Sequence, residues 1–358
     1  MPDPIVSLQA RLWDLPLNAP FRIATRTAYV ASNVLVSVSV GALTGFGAAA
    51  PVSYVTGETR ESVLEAVAAA TNNLIGLDAD RIGPLLDKAS ESLAASPSAR
   101  AGVEMALLDL WARRHRINLW HYFGARRDHV VTDLTIPIVS AEEARALTLD
   151  AVSKGFAHFK VKVGDPNGLE ADLARIRSVA SAAPKAGIRI DANQAFTPDN
   201  AIRFVAKLTE SSPNIELLEQ PVAKEDIAGL KYVRENISIP VFADEAARDP
   251  SSVRRLIRED AVDGINIKLM KSGITGALEI ISLCQAAGIK LMIGCMLESR
   301  LSLTAAAYIA AGTGAIPVID LDAHCLLAPD PARTGGFQED GPRLVVDANG
   351  FGWGVEGL

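Results

Sequence analysis

Five charged side chains recur along the second half of the chain at an almost constant interval. Lys162 ends Phe159-Lys160-Val161-Lys162, Asp191 ends Ile188-Arg189-Ile190-Asp191 29 residues later, and Glu219 ends Ile215-Glu216-Leu217-Leu218-Glu219 after 28 more. Asp244 follows after 25, in Val241-Phe242-Ala243-Asp244, and Lys268 after 24, in Asn266-Ile267-Lys268. Three carboxylates held side by side in a partly dry site repel one another strongly. A divalent cation relieves that repulsion, and oxygen-only ligands select Mg²⁺, with water or substrate completing the octahedron. Lys162 and Lys268 flank the trio. A metal able to grip a substrate carboxylate, with a lysine on each face of the neighbouring carbon, suits removal of an α-proton on one side and return of a proton on the other. The implied chemistry is 1,1-proton transfer. Lys160, on the same strand face as Lys162 by the period of two, adds a positive charge that, with the metal, should depress the pKa of Lys162 toward that of a working base. Taken singly, each acid could instead cap a strand end or pair with an arginine, and the lysines could be ion-pair partners of the acids. The regular spacing of the whole set favours chemistry.

The interval itself accommodates one strand, one helix and two short loops. Each acid or lysine closes a short apolar run just before a helical pattern, where (β/α) barrels keep their reactive groups. Leu134-Thr135-Ile136-Pro137-Ile138 begins the series, and Leu291 to Met296 and Val318 to Asp322 complete it, for eight strands. Ahead of it, residues 5–14 and 31–41 alternate as antiparallel strands on either side of a polar, basic loop at 21–27. Gly45 to Pro51 and a loop through Tyr54 follow, then three amphipathic helices at 59–76, 81–95 and 98–116. A last strand at Arg343 to Val346 and a Gly-rich tail are expected to return to this first region. The fold expected is α/β: a modified TIM (β/α)-barrel over 126–329 with an N-terminal α+β capping domain over 1–125, completed by 330–358.

At 358 residues, 49% apolar and 22% charged, the chain reads as globular with more than one part. A net charge of -7 argues against a nucleic-acid or anionic-membrane partner and leaves a small molecule. Three scattered cysteines offer no disulfide framework or zinc spacing, and neither a secretory leader nor a membrane-length apolar span is visible. A cytoplasmic homo-oligomer is expected.

The motifs Lys160-Val161-Lys162, Asp191-Ala192-Asn193-Gln194, Glu219-Gln220-Pro221, Ala243-Asp244-Glu245 and Asn266-Ile267-Lys268-Leu269-Met270-Lys271 together resemble the enolase superfamily, in its muconate lactonizing enzyme subgroup. The resemblance runs over essentially the whole chain. It implies Asp191, Glu219 and Asp244 as ligands of one Mg²⁺ and Lys162 and Lys268 as the acid/base pair, assisted by Lys160; lysine bases with Mg²⁺-stabilised ene-diolates are a known pattern there. Lys271 is expected to face solvent or a loop. Gly294-Cys295-Met296-Leu297-Glu298-Ser299 and Asp320-Leu321-Asp322 are similar to the dipeptide epimerases, in which the second motif binds the free α-ammonium. Two carboxylates on alternate residues face the same side, and with no second metal motif an ammonium is their natural guest; capping of the following helix is the alternative. By resemblance, the loops at 19–30 and 51–58 cover the mouth and read the C-terminal side chain, with Arg26 placed for a glutamate carboxylate and Tyr54, Met296 and Leu297 lining the pocket. Leu297 speaks against a cationic dipeptide. His324 departs from the small residue or proline expected there. The resemblance thus implies epimerisation of a dipeptide, L-Ala-D/L-Glu first, in murein peptide metabolism. Alternatives are hydrophobic or other dipeptides, N-acylamino acid racemisation, o-succinylbenzoate synthesis, and a non-catalytic binder, which would have no need of both lysines.

Overall fold

The computed structural model describes residues 3–23, 26–209, 213–328 and 334–358, with the side chains of residues 21–26 outside the description. The chain starts with three antiparallel strands, β1 (Ser7–Ile23), β2 (Arg26–Val40) and β3 (Leu43–Ala49), in the order β1-β2-β3. Helices α1 (Arg60–Leu74), α2 (Ile82–Ser92) and α3 (Pro97–His115) pack on them, followed by the single turn α4 (Leu119–Tyr122). A capping box between Thr59 and Ser62 starts α1. The close seating of α3 on β3 depends on glycine: a Cβ on Gly47 would stand 2.0 Å from the Gly102 carbonyl oxygen. The loop expected at 21–27 is corrected for residues 21–23 and 26–27, residues 24–25 lying outside the described residues. Past a register shift between Pro16 and Phe21 the pairing resumes, Phe21 with Ala28 and Ile23 with Arg26, so the two strands make one long arm. Backbone pairing with a partner strand, which composition alone does not show, lengthens both strands here.

After the linking strand β4 (His129–Val131) the barrel runs β5 (Leu134–Ile136), α5 (Ala141–Ser153), β6 (His158–Lys162), α6 (Leu169–Ala182), β7 (Gly187–Asp191), α7 (Pro198–Thr209), β8 (Ile215–Glu219), α8 (Ile227–Asn236), β9 (Val241–Ala243), α9 (Pro250–Arg258), β10 (Gly264–Ile267), α10 (Leu269–Ala287), β11 (Lys290–Gly294), α11 (Arg300–Thr313) and β12 (Val318–Asp320). The eight strands β5 to β12 form one parallel sheet in sequence order. The ends meet where Asp133 N donates to Ile319 O at 3.2 Å. Among the described residues, the helix that follows the last strand is the one-turn α12 (Ala323–Leu326), so seven full helices surround eight strands there.

The cap grips the barrel through buried polar groups. Helix α10 breaks at Gly273 (φ 69°), and Glu104 from α3 caps the resumed helix, with its Oε2 accepting from Ile274 N at 2.5 Å and Thr275 N at 3.1 Å. The tail adds β13 (Thr334–Gly335), β14 (Gln338–Asp340), β15 (Arg343–Val345), which pairs with β4, and β16 (Val355–Glu356). It then lies on α3, where Trp353 donates from its indole to Met105 O at 3.0 Å and from its backbone to Asp109 Oδ1 at 2.9 Å. No helix among the described residues is long and apolar enough to cross a membrane.

Candidate active site

Parallel pairing brings the strand-end charges onto one rim. Lys162 is the register partner of Asp191, and Asp191 that of Glu219, across β6, β7 and β8. Asp244 lies just past β9, where its backbone N–H donates to the side-chain oxygen of Gln220 at 3.0 Å; Ala246 donates to the same oxygen at 3.1 Å. All three carboxylates are buried.

Ammonium groups thread between them. Lys160 Nζ lies 2.7 Å from Asp320 Oδ2, 2.9 Å from Glu219 Oε2 and 3.1 Å from Asp191 Oδ2. Lys162 Nζ donates to Asp191 Oδ2 at 2.5 Å and to Asn193 Oδ1 at 3.2 Å. Across the rim, Lys268 Nζ is 2.8 Å from Asp244 Oδ2. Burial pushes Asp191 up, but Lys162 and Lys160 outweigh it and hold it at about 2. Asp244 is likewise held low by Lys268 and Lys271 against its burial. Burial would lower Lys160 and Lys268, yet the acids around each raise both.

Glu219 and Glu245 behave oppositely. Burial first, then Asp191, pushes Glu219 up to about 7; burial and Asp244 do the same to Glu245. Glu219 Oε1 accepts from Asn266 Nδ2 at 2.6 Å, whereas Oε2 of Glu219 and Oε2 of Glu245 have no hydrogen bond, the nearby Lys160 ammonium notwithstanding. Among the described residues no three acid, histidine or cysteine side chains converge on one point at ligand distance. The donor set nonetheless fits a hard divalent cation: Asp191, Glu219 and Asp244 offer buried carboxylate oxygens only, Glu219 Oε2 lacks a hydrogen-bond donor, and Lys160 occupies the space between Asp191 and Glu219 as a surrogate positive charge.

Above this layer opens a cavity of about 400 Å³, lined by Lys160, Lys162, Lys268, Asp244, Glu245, Asp320 and Asp322 from the barrel and by Tyr54, Met296 and Leu297. Asp322 Oδ2 accepts from the backbone N–H of Thr135 at 2.6 Å, and burial with the nearby Asp320 pushes its carboxyl up to about 6. Asp322 is the N-cap residue of α12 but makes no side-chain cap hydrogen bond, which removes the simple capping alternative. Asn33, fully buried in the cap, ties the two parts together: its amide donates to Leu297 O and its oxygen accepts from Ser299 N, both at 2.9 Å. The 51–58 loop is anchored where Glu58 accepts from Ser98 N at 2.8 Å and Ala99 N at 3.2 Å. The side chain of Arg26 lies outside the described residues.

Lys271 is a correction. Far from facing solvent, it is 3% exposed, and its ammonium donates to Asp244 Oδ1 and Asp244 O at 2.6 Å and to Asn266 O at 2.9 Å. A three-residue spacing from Lys268 suggested a different face, but α10 starts at Leu269 and turns the side chain back under the strand ends. His324 also stays out of the pocket: its ring meets Leu321 O through Nδ1 at 2.9 Å and packs edge-on against Phe337. Residues that sequence reasoning left without a role include Glu245, Asn193, Gln220 and Asn266. Asn193, Gln194 and Gln220 all adopt positive φ (41°, 70° and 36°) within three residues after Asp191 or Glu219. For a non-glycine residue such backbone is strained, and only Asn193 hints at it by its type.

Residues 7–124 match the family model for the mandelate racemase / muconate lactonizing enzyme N-terminal domain, and residues 141–357 that for the enolase C-terminal domain-like family. The chain is 37% identical over 352 residues to the L-Ala-D/L-Glu epimerase of Clostridium acetobutylicum, with 96% of each covered, and 38% identical over 356 residues to the aromatic dipeptide epimerase of Herpetosiphon aurantiacus, covering 98% and 99%. The crystal structure of a dipeptide epimerase from Enterococcus faecalis, complexed with Mg and L-Leu-L-Tyr, superposes with a TM-score of 0.93 at 34% identity, covering 99% of this chain and all of that one. The chain therefore belongs to the mandelate racemase / muconate lactonizing enzyme family of the enolase superfamily.

Proposed function

We propose that the protein is a Mg²⁺-dependent dipeptide epimerase that inverts the α-carbon of the C-terminal residue. The observation that carries this reading is the juxtaposition, in one cavity, of lysines on either side of the acid rim with the buried pair Asp320 and Asp322. In this reading Asp191, Glu219 and Asp244 hold the metal, which when bound supplies a Lewis acid for the substrate carboxylate. Lys162 Nζ takes or gives the α-proton on one face and Lys268 Nζ on the other. Asn193 and Asp191 orient Lys162, and Asp244 orients Lys268. Lys160 and Lys271 are positioning residues that neutralise the carboxylate cluster from within. Asp320 and Asp322 receive the α-ammonium. The division into a cap (1–125 with 330–358) and a barrel (126–329) belongs to the same proposal, supported by the tail's hydrogen bonds to α3.

L-Ala-D/L-Glu leads as substrate, in line with the relatives of that name at 35–37% identity. A hydrophobic C-terminal residue is the second reading, favoured by Ala28, Val30, Val52 and Val55 in the cavity wall that the cap contributes. Incubating a mixed dipeptide library with the protein and Mg²⁺ in D₂O, followed by mass spectrometry, tests both. A one-deuteron gain on Ala-Glu members supports the first substrate, gain on apolar members the second, and labelling of N-acylamino acids in place of dipeptides overturns the dipeptide reading.

Asp322→Asn should raise KM for a free dipeptide about 10- to 100-fold, corresponding to the ~1.5–3 kcal/mol of a hydrogen bond to a charged group, and leave an N-blocked substrate little changed. Equal effects on both substrates would remove the ammonium role. Because burial and the nearby Asp320 push the Asp322 carboxyl up to about 6, KM of the wild-type protein should fall as pH rises through 6 and the carboxylate forms. It should climb again above about pH 8, where the dipeptide's α-amino group loses its proton.

A further inference from the structure

The opposite, N-terminal end of the barrel holds a second cavity of about 720 Å³, walled by residues 126–131 and by residues of β6, β7, β8, β9, β11 and β12, with His158, Lys290 and Val318 each the first residue of its strand. It takes no part in the chemistry above, whose groups all lie at the carboxyl ends of the strands. Its volume falls within the range of small-molecule sites, roughly 300–1,000 Å³.

The charges in its lining do not cancel. Arg189 is matched by Asp133 at 2.7 Å and Glu216 at 2.8 Å; His158 also faces Glu216, and His129 pairs with Asp128 at 2.6 Å. Those pairs use both acids of the lining. Arg126, Arg127 and Lys290 are left with no side-chain hydrogen bond or ion pair among the described residues. With histidine neutral, the lining carries four cations, Arg126, Arg127, Arg189 and Lys290, against two carboxylates, Asp128 and Glu216; this excess of two positive charges, on a chain whose net charge is -7, creates a local field for anions. Beneath them, Leu217, Phe242 and Val318 form part of a small apolar cluster apart from the main core.

We propose that this cavity binds a small phosphate monoester, its phosphoryl oxygens held by Arg126, Arg127 and Lys290 and its organic part lying over Leu217, Phe242 and Val318. A phosphoryl group brings roughly two negative charges and three acceptor oxygens, which suits two guanidinium forks and an ammonium. A simple carboxylate brings a single charge and leaves most of these donors unmatched.

Isothermal titration of the full chain with phenyl phosphate, inorganic phosphate and benzoate, each with and without Mg²⁺, tests the assignment. Phenyl phosphate should bind once per chain, more tightly than inorganic phosphate, with benzoate weakest. The affinity should be independent of Mg²⁺ and should weaken with salt. The variant Arg126→Ala/Arg127→Ala/Lys290→Ala, its fold checked by circular dichroism, should lose at least about tenfold in affinity. Lys290→Glu, a single change at an exposed position, should weaken binding in the same direction and guards against a misfolded triple variant. Equal binding by wild type and variants, benzoate as tight as phenyl phosphate, binding only when Mg²⁺ is present, or no heat up to about 10 mM ligand would each overturn the proposal.

Discussion

Replacing Lys162 or Lys268 by alanine should abolish epimerisation, with kcat lower by at least about 10³- to 10⁴-fold, because a positioned acid or base contributes up to that much and the proposed two-base mechanism needs both in each turnover. The two losses should differ in one respect. With Lys162 gone, Lys268 still faces one side of the α-carbon, so solvent deuterium should enter only the epimer whose α-hydrogen points at Lys268; Lys268→Ala should show the mirror preference. A purely structural role would not produce this split. Lys162→Arg separates charge from chemistry, since guanidinium keeps a cation against Asp191 but does not give up its proton at neutral pH. It should preserve the ion pair and remain inactive. Full epimerase activity in either alanine variant would refute the two-base mechanism.

The second large effect concerns the metal. Chelation should take turnover to background, and Mg²⁺ should restore it. Without the cation, Glu219 and Glu245 are buried carboxyls pushed up to about 7, so the site should take up protons near neutrality and release them when Mg²⁺ binds. Binding should therefore tighten as pH rises through 7, and the released protons should register in calorimetry as heats that vary with the buffer. Glu219→Gln removes the charge of one proposed ligand and should raise the Mg²⁺ concentration for half-maximal activity by at least about tenfold. Activity that survives exhaustive chelation would remove the metal assignment.

Much of this site is legible in the chain because a parallel barrel converts sequence interval into adjacency. Intervals of 24 to 29 residues between Lys162, Asp191, Glu219, Asp244 and Lys268 match one strand and its crossover, and strand-end residues can then meet on one rim only. Composition and period carried the three cap helices in the same way, since amphipathic spacing reflects a local requirement for burial.

Other features depend on contacts that no local pattern encodes. Residues 21–23 pair with 26–28 because β1 and β2 continue past a register shift. Lys271 turns inward because α10 begins at Leu269 and the Asp244 carboxylate waits beneath it. Asn33 reaches residues 297 and 299 across a gap of more than 260 positions. The order of the charges, and hence the chemistry they can do, was determined by the sequence alone. Which ammonium neutralises which carboxylate, and which carboxyls are pushed toward neutrality, was decided only by the tertiary structure, because desolvation and Coulomb interactions depend on distances in space that residue spacing does not set.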